Sequence, residues 1–89
     1  DEKEAVKWLE LAAKQNHTGA ISELAICYAN GVGVPKDLSK AQALFEKAAY
    51  EGDRGAQYQL GLIYRDGKGV PVEKARAYAW LKVAANGGG

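Results

Sequence analysis

The segment Gly31-Val32-Gly33-Val34-Pro35-Lys36-Asp37 recurs as Gly67-Lys68-Gly69-Val70-Pro71-Val72-Glu73, 36 residues later and without a gap. A fixed period of roughly 20–50 residues constrains a fold strongly, because one supersecondary unit must stack on its own copy. Within the unit, Gly31 and Gly33 supply backbone conformations that side chains resist. Pro35 excludes helix through the residue before it, and Asp37 or Ser39 can cap a helix that follows. The turn therefore predicts the end of one helix and the start of the next.

The flanking segments read as amphipathic helices rich in alanine, the best helix former. In residues 1–13, Val6, Leu9, Ala12 and Ala13 share a face with Trp8 beside them, and Asp1 is placed to cap. Asn16-His17-Thr18-Gly19 breaks that pattern. A second helix is expected from Gly19 to Asn30, with Ala20, Ile21, Leu24, Cys27 and Tyr28 on its core stripe. Gly31 ends it in a left-handed C′ conformation. The third helix, Asp37 to Glu51, turns Ala41, Leu44, Phe45, Ala48 and Ala49 inward, and Gly52-Asp53 closes it and caps its successor. Gly55 to Asp66 and Glu73 to Asn86 repeat the cycle, and Gly87-Gly88-Gly89 reads as a frayed tail.

Alignment at the period brings Ala12-Ala13, Ala48-Ala49 and Ala84-Ala85 into register, with Trp8, Leu44 and Trp80 in one slot and Leu9, Phe45 and Leu81 in the next. Leu24 matches Leu60, Tyr28 matches Tyr64, and Ala25 matches Gly61. The small residues let helices approach closely and the large ones fill the gaps. With the helix types labelled A and B, the order is B-A-B-A-B. The expected fold is all-α: a single-domain α-solenoid of antiparallel helix hairpins, with a half repeat at 1–16 and full repeats at 17–52 and 53–88.

Composition and motifs argue against most other functions. A formal net charge of +1 does not suit a dedicated nucleic-acid or membrane-surface protein. No apolar run approaches the roughly eighteen residues of a membrane span. Cys27 is the single cysteine, so neither an intrachain disulfide nor a cysteine-based zinc site can form, and it reads as a small buried hydrophobe. His17 is the single histidine and sits in a turn, where a solvent-facing or capping role is expected. Ser22 and Ser39 lie in no nucleophile elbow. The run from Gly61 to Gly67-Lys68 superficially resembles a phosphate-binding loop, but it is one residue too long and Gly69 stands where a magnesium-binding Ser or Thr belongs. No enzyme, metal or cofactor is expected.

In helical-hairpin solenoids the A helices line the concave surface. Its candidate residues are Ser22, Ile26, Ala29 and Asn30 from the first A helix, and Tyr58, Leu62, Arg65 and Asp66 from the second. Ile26 and Leu62 are apolar, off the core stripe and one period apart. They either pack between A helices or form an apolar strip, flanked by tyrosine and arginine of the kind enriched at binding hot spots. A protein or peptide partner is expected there. Open flanks at the array's ends, around Tyr78, Trp80 and Val83, suggest either self-association or a piece of a longer parent, since arrays usually end in polar caps.

Ala20, Leu24, Ala25, Tyr28, Gly31, Gly33, Val34 and Pro35, followed by Lys40, Ala41, Phe45, Lys47, Ala48 and Ala49, resemble the Sel1-like repeat. The second copy carries Ala56, Leu60, Gly61, Tyr64, Gly67, Gly69, Val70 and Pro71, with Arg76-Ala77 for Lys-Ala. Tetratricopeptide repeats, with a period of about 34, lack this long turn. The resemblance implies a non-catalytic scaffold for protein partners, often in bacterial envelope, signalling or host-contact settings. A secreted subgroup with two cysteines per repeat is linked to β-lactam or cell-wall binding, and a single Cys27 departs from it. Binding of a small ligand or cell-wall fragment with weak hydrolase activity is the alternative, and a purely structural repeat is a third.

Overall fold

Side-chain caps and left-handed glycines divide the chain into helices. The computed structural model describes residues 1–87, and these form α1 (Glu2–Lys14), α2 (Thr18–Asn30), α3 (Leu38–Tyr50), α4 (Arg54–Asp66) and α5 (Lys74–Ala85). No strand occurs among the described residues, and Gly88 and Gly89 of the expected tail lie outside them. An Asp1 carboxylate oxygen accepts the Glu4 N–H at 3.1 Å, Asp37 accepts Lys40 N–H at 3.0 Å, and Asp53 accepts Ala56 N–H at 2.9 Å. His17 caps α2 through Nδ1, which accepts the Ala20 N–H at 3.1 Å. Glu73 occupies the same slot before α5 but makes no side-chain cap, consistent with its absence from the favoured capping residues. Its carboxylate lies 3.7 Å from Arg76 Nε instead.

Both glycine-rich turns are built alike. Gly31 (φ 69°) and Gly67 (φ 70°) end α2 and α4 in the left-handed region. Each turn then closes on the helix it leaves: the Asp37 N–H donates to the Tyr28 carbonyl (2.8 Å), and the Glu73 N–H donates to the Tyr64 carbonyl (2.9 Å). The second glycine of each pair also meets the preceding B helix. A Cβ on Gly33 would sit 2.5 Å from the Glu2 carbonyl oxygen, and one on Gly69 would sit 2.8 Å from Leu38 Cβ. Since Glu2 and Leu38 are one period apart, this contact recurs along the array. The turn reverses the chain and also docks one unit onto the last.

α2 packs on α3 and α4 on α5 as hairpins, with α1–α2 and α3–α4 contacts joining them into an elongated body of 37 × 25 × 16 Å. Ile21, Ala25, Phe45, Ala48, Leu60 and Tyr64 are among the residues of one continuous core. Within it a Cβ on Gly61 would lie 2.6 Å from Leu81 Cγ, so α4 and α5 approach there only because position 61 lacks a side chain. Burial of these apolar faces is the main favourable contribution to the fold.

Several expected core positions are more open than their helical pattern implies. In α1 only Val6 is buried, Leu9, Ala12 and Ala13 are half-buried, and Trp8 is 67% exposed. The matching Trp80 shows why. Its ring meets Tyr50 of the preceding B helix, edge to face, with centroids 5.1 Å apart, and α1 has no such helix before it among the described residues. Trp80 is therefore half-buried, as is Val83, whereas Tyr78 stays exposed. Cys27 and Tyr28 are half-buried, and Ala25 instead is fully enclosed.

Candidate functional site: the groove between the A helices

The parallel A helices α2 and α4 stand on either side of α3, and the space over α3 forms a groove of about 380 Å³. Ile26, Ala29 and Asn30 line it from α2, and Gln59, Leu62 and Ile63 line it from α4. Leu38, Ala41 and Phe45 of α3 make the floor. Lys36, from the first glycine-rich turn, and Lys68, from the second, complete the lining at the end where α2 and α4 finish. Among the described residues no carboxylate lines the groove.

The eight residues expected on the concave surface are divided by the structure. Ile26, Ala29, Asn30 and Leu62 come together in the groove. Ile26 is 42% exposed and Leu62 is half-buried, so neither is sealed by packing against the neighbouring A helix. Ser22 is half-buried and does not line the groove. Tyr58 lies in a separate shallow depression between α4 and α5 with Arg54, Leu81 and Ala84. There the Arg54 Nε–H donates to the Ala84 carbonyl at 2.9 Å. Arg65 and Asp66 engage each other, with hydrogen bonds of 3.0 and 3.2 Å, at an exposed site beside the groove. The hydrogen bond from Arg65 is the main cause holding the Asp66 carboxyl below its usual range, and Lys68 adds to it. The same hydrogen bond raises the Arg65 guanidinium.

Lys36 and Lys68 escaped the concave-face reading because they belong to turns, and a helical projection assigns faces only to helix residues. The signal that could have found them is positional. Both turns leave the same ends of parallel A helices, so their side chains share one edge of the body. Among the described residues neither lysine takes part in an ion pair. The carboxylates nearby are engaged: Asp37 caps α3, and Asp66 holds Arg65.

Burial first, and then Glu23 and Glu2, push the Cys27 thiol above its ordinary range, the opposite of what an activated nucleophile requires. Among the described residues no group of three His, Cys, Asp or Glu side chains is placed to hold a metal ion. No helix among them is long and apolar enough to cross a membrane.

The Sel1 repeat signature matches residues 1–17, 19–53 and 55–89. The chain belongs to the Sel1 repeat family. Solved Sel1 structures share its geometry as well. One is a protective antigen present in uropathogenic Escherichia coli strains and displaying an SLR fold. It is 41% identical over 97% of this chain, with a TM-score of 0.94. Another, a Sel1 repeat protein from Oxalobacter formigenes, is 36% identical over 99% of this chain, with a TM-score of 0.95. This chain spans 18% and 36% of those two proteins, respectively. No curated protein matches it significantly. Sel1 repeats are in general protein–protein interaction modules of the scaffold type, and the groove is where such an interaction can be sought in this member.

Proposed function

We propose that this Sel1 chain is a non-catalytic interaction module that holds an extended segment of a partner protein in the groove between α2 and α4. The observation that carries this reading is the pairing of Ile26 and Leu62. They are apolar, one period apart and accessible, and they line opposite walls of one concavity. The volume of about 380 Å³ falls near the lower end of the roughly 300–1,000 Å³ typical of ligand pockets. An extended strand can insert alternate side chains into such a space. Arg65 and Asp66 form a rim, and Tyr58 belongs to a neighbouring depression rather than to this contact.

Peptide-display selection on the purified protein tests the proposal. Selected peptides should lose binding to Ile26→Glu and Leu62→Glu while retaining it for Tyr58→Glu. Helicity and melting temperature are measured for each variant. Because Ile26 is the more exposed of the two groove residues, its substitution separates lost binding from lost folding. Peptides that bind well-folded Ile26→Glu as tightly as the unaltered protein would place the docking surface elsewhere.

A further inference from the structure

The groove has a chemical polarity along its length. Its middle is apolar, with Ile26 and Leu62 above Ala41 and Phe45. Its end carries two ammonium groups, on Lys36 and Lys68, and among the described residues no carboxylate lines it. Asp37 caps α3 and Asp66 is held by Arg65, with Lys68 acting on Asp66 only through its charge. A ligand that fills the middle with apolar side chains runs toward an end carrying two lysines that no ion pair holds among the described residues. Opposite charge on the occupant would steer it, fix its direction and disfavour wrong partners.

We infer that the occupant is an extended protein segment in which two apolar side chains are flanked on one side by an acidic residue, whose carboxylate is met by Lys36 and Lys68. This rests on the groove being the docking site and adds the class of what it takes and the end of the groove its acid occupies. The acid belongs to a side chain within the segment rather than to a chain terminus. Both lysines are exposed, so the lysine end is open and a chain can continue past them. A nucleic acid would satisfy the lysines but not the apolar floor, and the net charge of +1 gives it little general attraction.

The test uses a library of internal peptides, displayed with both ends embedded in a carrier and selected in parallel on the unaltered protein and on Lys36→Glu/Lys68→Glu. Both substitutions are at exposed positions, so helicity should be unchanged. The pool from the unaltered protein should show excess Asp and Glu on one side of an apolar pair. The pool from the charge-reversed variant should lose that excess and gain Lys and Arg. One enriched peptide, synthesised with its acid replaced by the matching amide, should bind the unaltered protein about tenfold more weakly. Against Lys36→Gln/Lys68→Gln that replacement should cost less than about twofold.

The outcomes separate the two readings. Selected peptides without acid enrichment that still require Ile26 overturn the charge inference and leave the groove in place. No enrichment at all, or enrichment indifferent to Ile26→Glu, overturns the groove reading and this inference with it. A synthetic peptide whose binding disappears when only its C-terminal carboxylate is amidated would show that a chain terminus is the ligand and refute the side-chain assignment.

Discussion

In the first hairpin, α2 and α3, Tyr28 is half-buried and Lys40 Nζ stands 4.9 Å from its ring centroid. In the second, α4 and α5, Tyr64 is 3% exposed and Arg76 covers its ring in the same way, at 5.1 Å. The pairs Tyr28–Lys40 and Tyr64–Arg76 are one period apart, so the repeat carries its own aromatic–cation contact. The hydroxyls differ. Tyr64 Oη donates to Glu46 (3.0 Å) and accepts from Gln42 (3.2 Å) and Arg76 (3.3 Å). The residues one period before Glu46 and Gln42 are Glu10 and Val6, and no comparable network forms around Tyr28 among the described residues. Local contacts thus follow from the repeat itself, whereas burial and polar networks follow from which repeat stands next to it.

The largest effect expected from this difference concerns the matched leucines. Leu60 is 0% exposed in a helix packed between α3 and α5, and Leu24 is 4% exposed in a helix whose other neighbour is α1. Leucine-to-alanine substitutions in cores cost about 2–5 kcal/mol, depending on how well the void can collapse. Leu60→Ala should fall in the upper part of that range, near 4 kcal/mol, and Leu24→Ala near 2, because α1 is held from one side and can close the gap. Urea unfolding followed by helicity measures both. Equal losses would mean that α1 is as firmly seated as the interior helices and that the comparison fails.

A smaller effect is expected where the repeats exchange glycine for alanine. Ala25 and Gly61 occupy the same position, but α5 presents Leu81 where α3 presents Phe45. Alanine at an exposed helix-interior position is worth about 1 kcal/mol over glycine, so propensity alone predicts that Gly61→Ala stabilises. The added Cβ would meet Leu81 Cγ at 2.6 Å and the Ala77 carbonyl oxygen at 3.2 Å, and overpacking of this kind costs about 1–3 kcal/mol. A net loss near 1 kcal/mol is the expected result in thermal or urea unfolding. A gain in stability would show that Leu81 shifts freely and that the close approach is not required.

Much of the fold was legible because its signals are local. Gly31 and Gly67 announce left-handed helix ends, Asp37 and Asp53 announce caps, and the 36-residue register orders the units. Half of the expected concave set was legible for the same reason. A helical projection places a residue around its own axis, and Ile26, Ala29, Asn30 and Leu62 needed nothing more. It says nothing about the neighbours. Tyr58, Leu62 and Arg65 project onto one face of α4, yet that helix is a ridge with the groove on one side and the α5 depression on the other. Leu62 falls into the first and Tyr58 into the second. Lys36 and Lys68 were invisible to the projection, and Trp80 found a partner in Tyr50 from the previous repeat.

The smallest predicted difference isolates the neighbour's contribution most cleanly. Tyr64→Phe keeps the ring, and with it the contact to Arg76, but removes the hydroxyl that serves Glu46, Gln42 and Arg76. A net hydrogen bond is worth about 0.5–1.5 kcal/mol. Glu46 and Gln42 remain bonded to each other at 2.7 Å, so little polar surface is stranded. The expected loss is about 1 kcal/mol. Tyr28→Phe removes a hydroxyl with no such partners and should stay within about 0.5 kcal/mol. If the Glu46 charge matters, the gap between Tyr64→Phe and Tyr28→Phe should shrink without vanishing in a Glu46→Gln background, since an amide still accepts the Tyr64 hydroxyl's bond but more weakly. Indistinguishable losses for Tyr64→Phe and Tyr28→Phe would show that burial alone separates the repeats, with no energetic share for the network that joins α3 to α4.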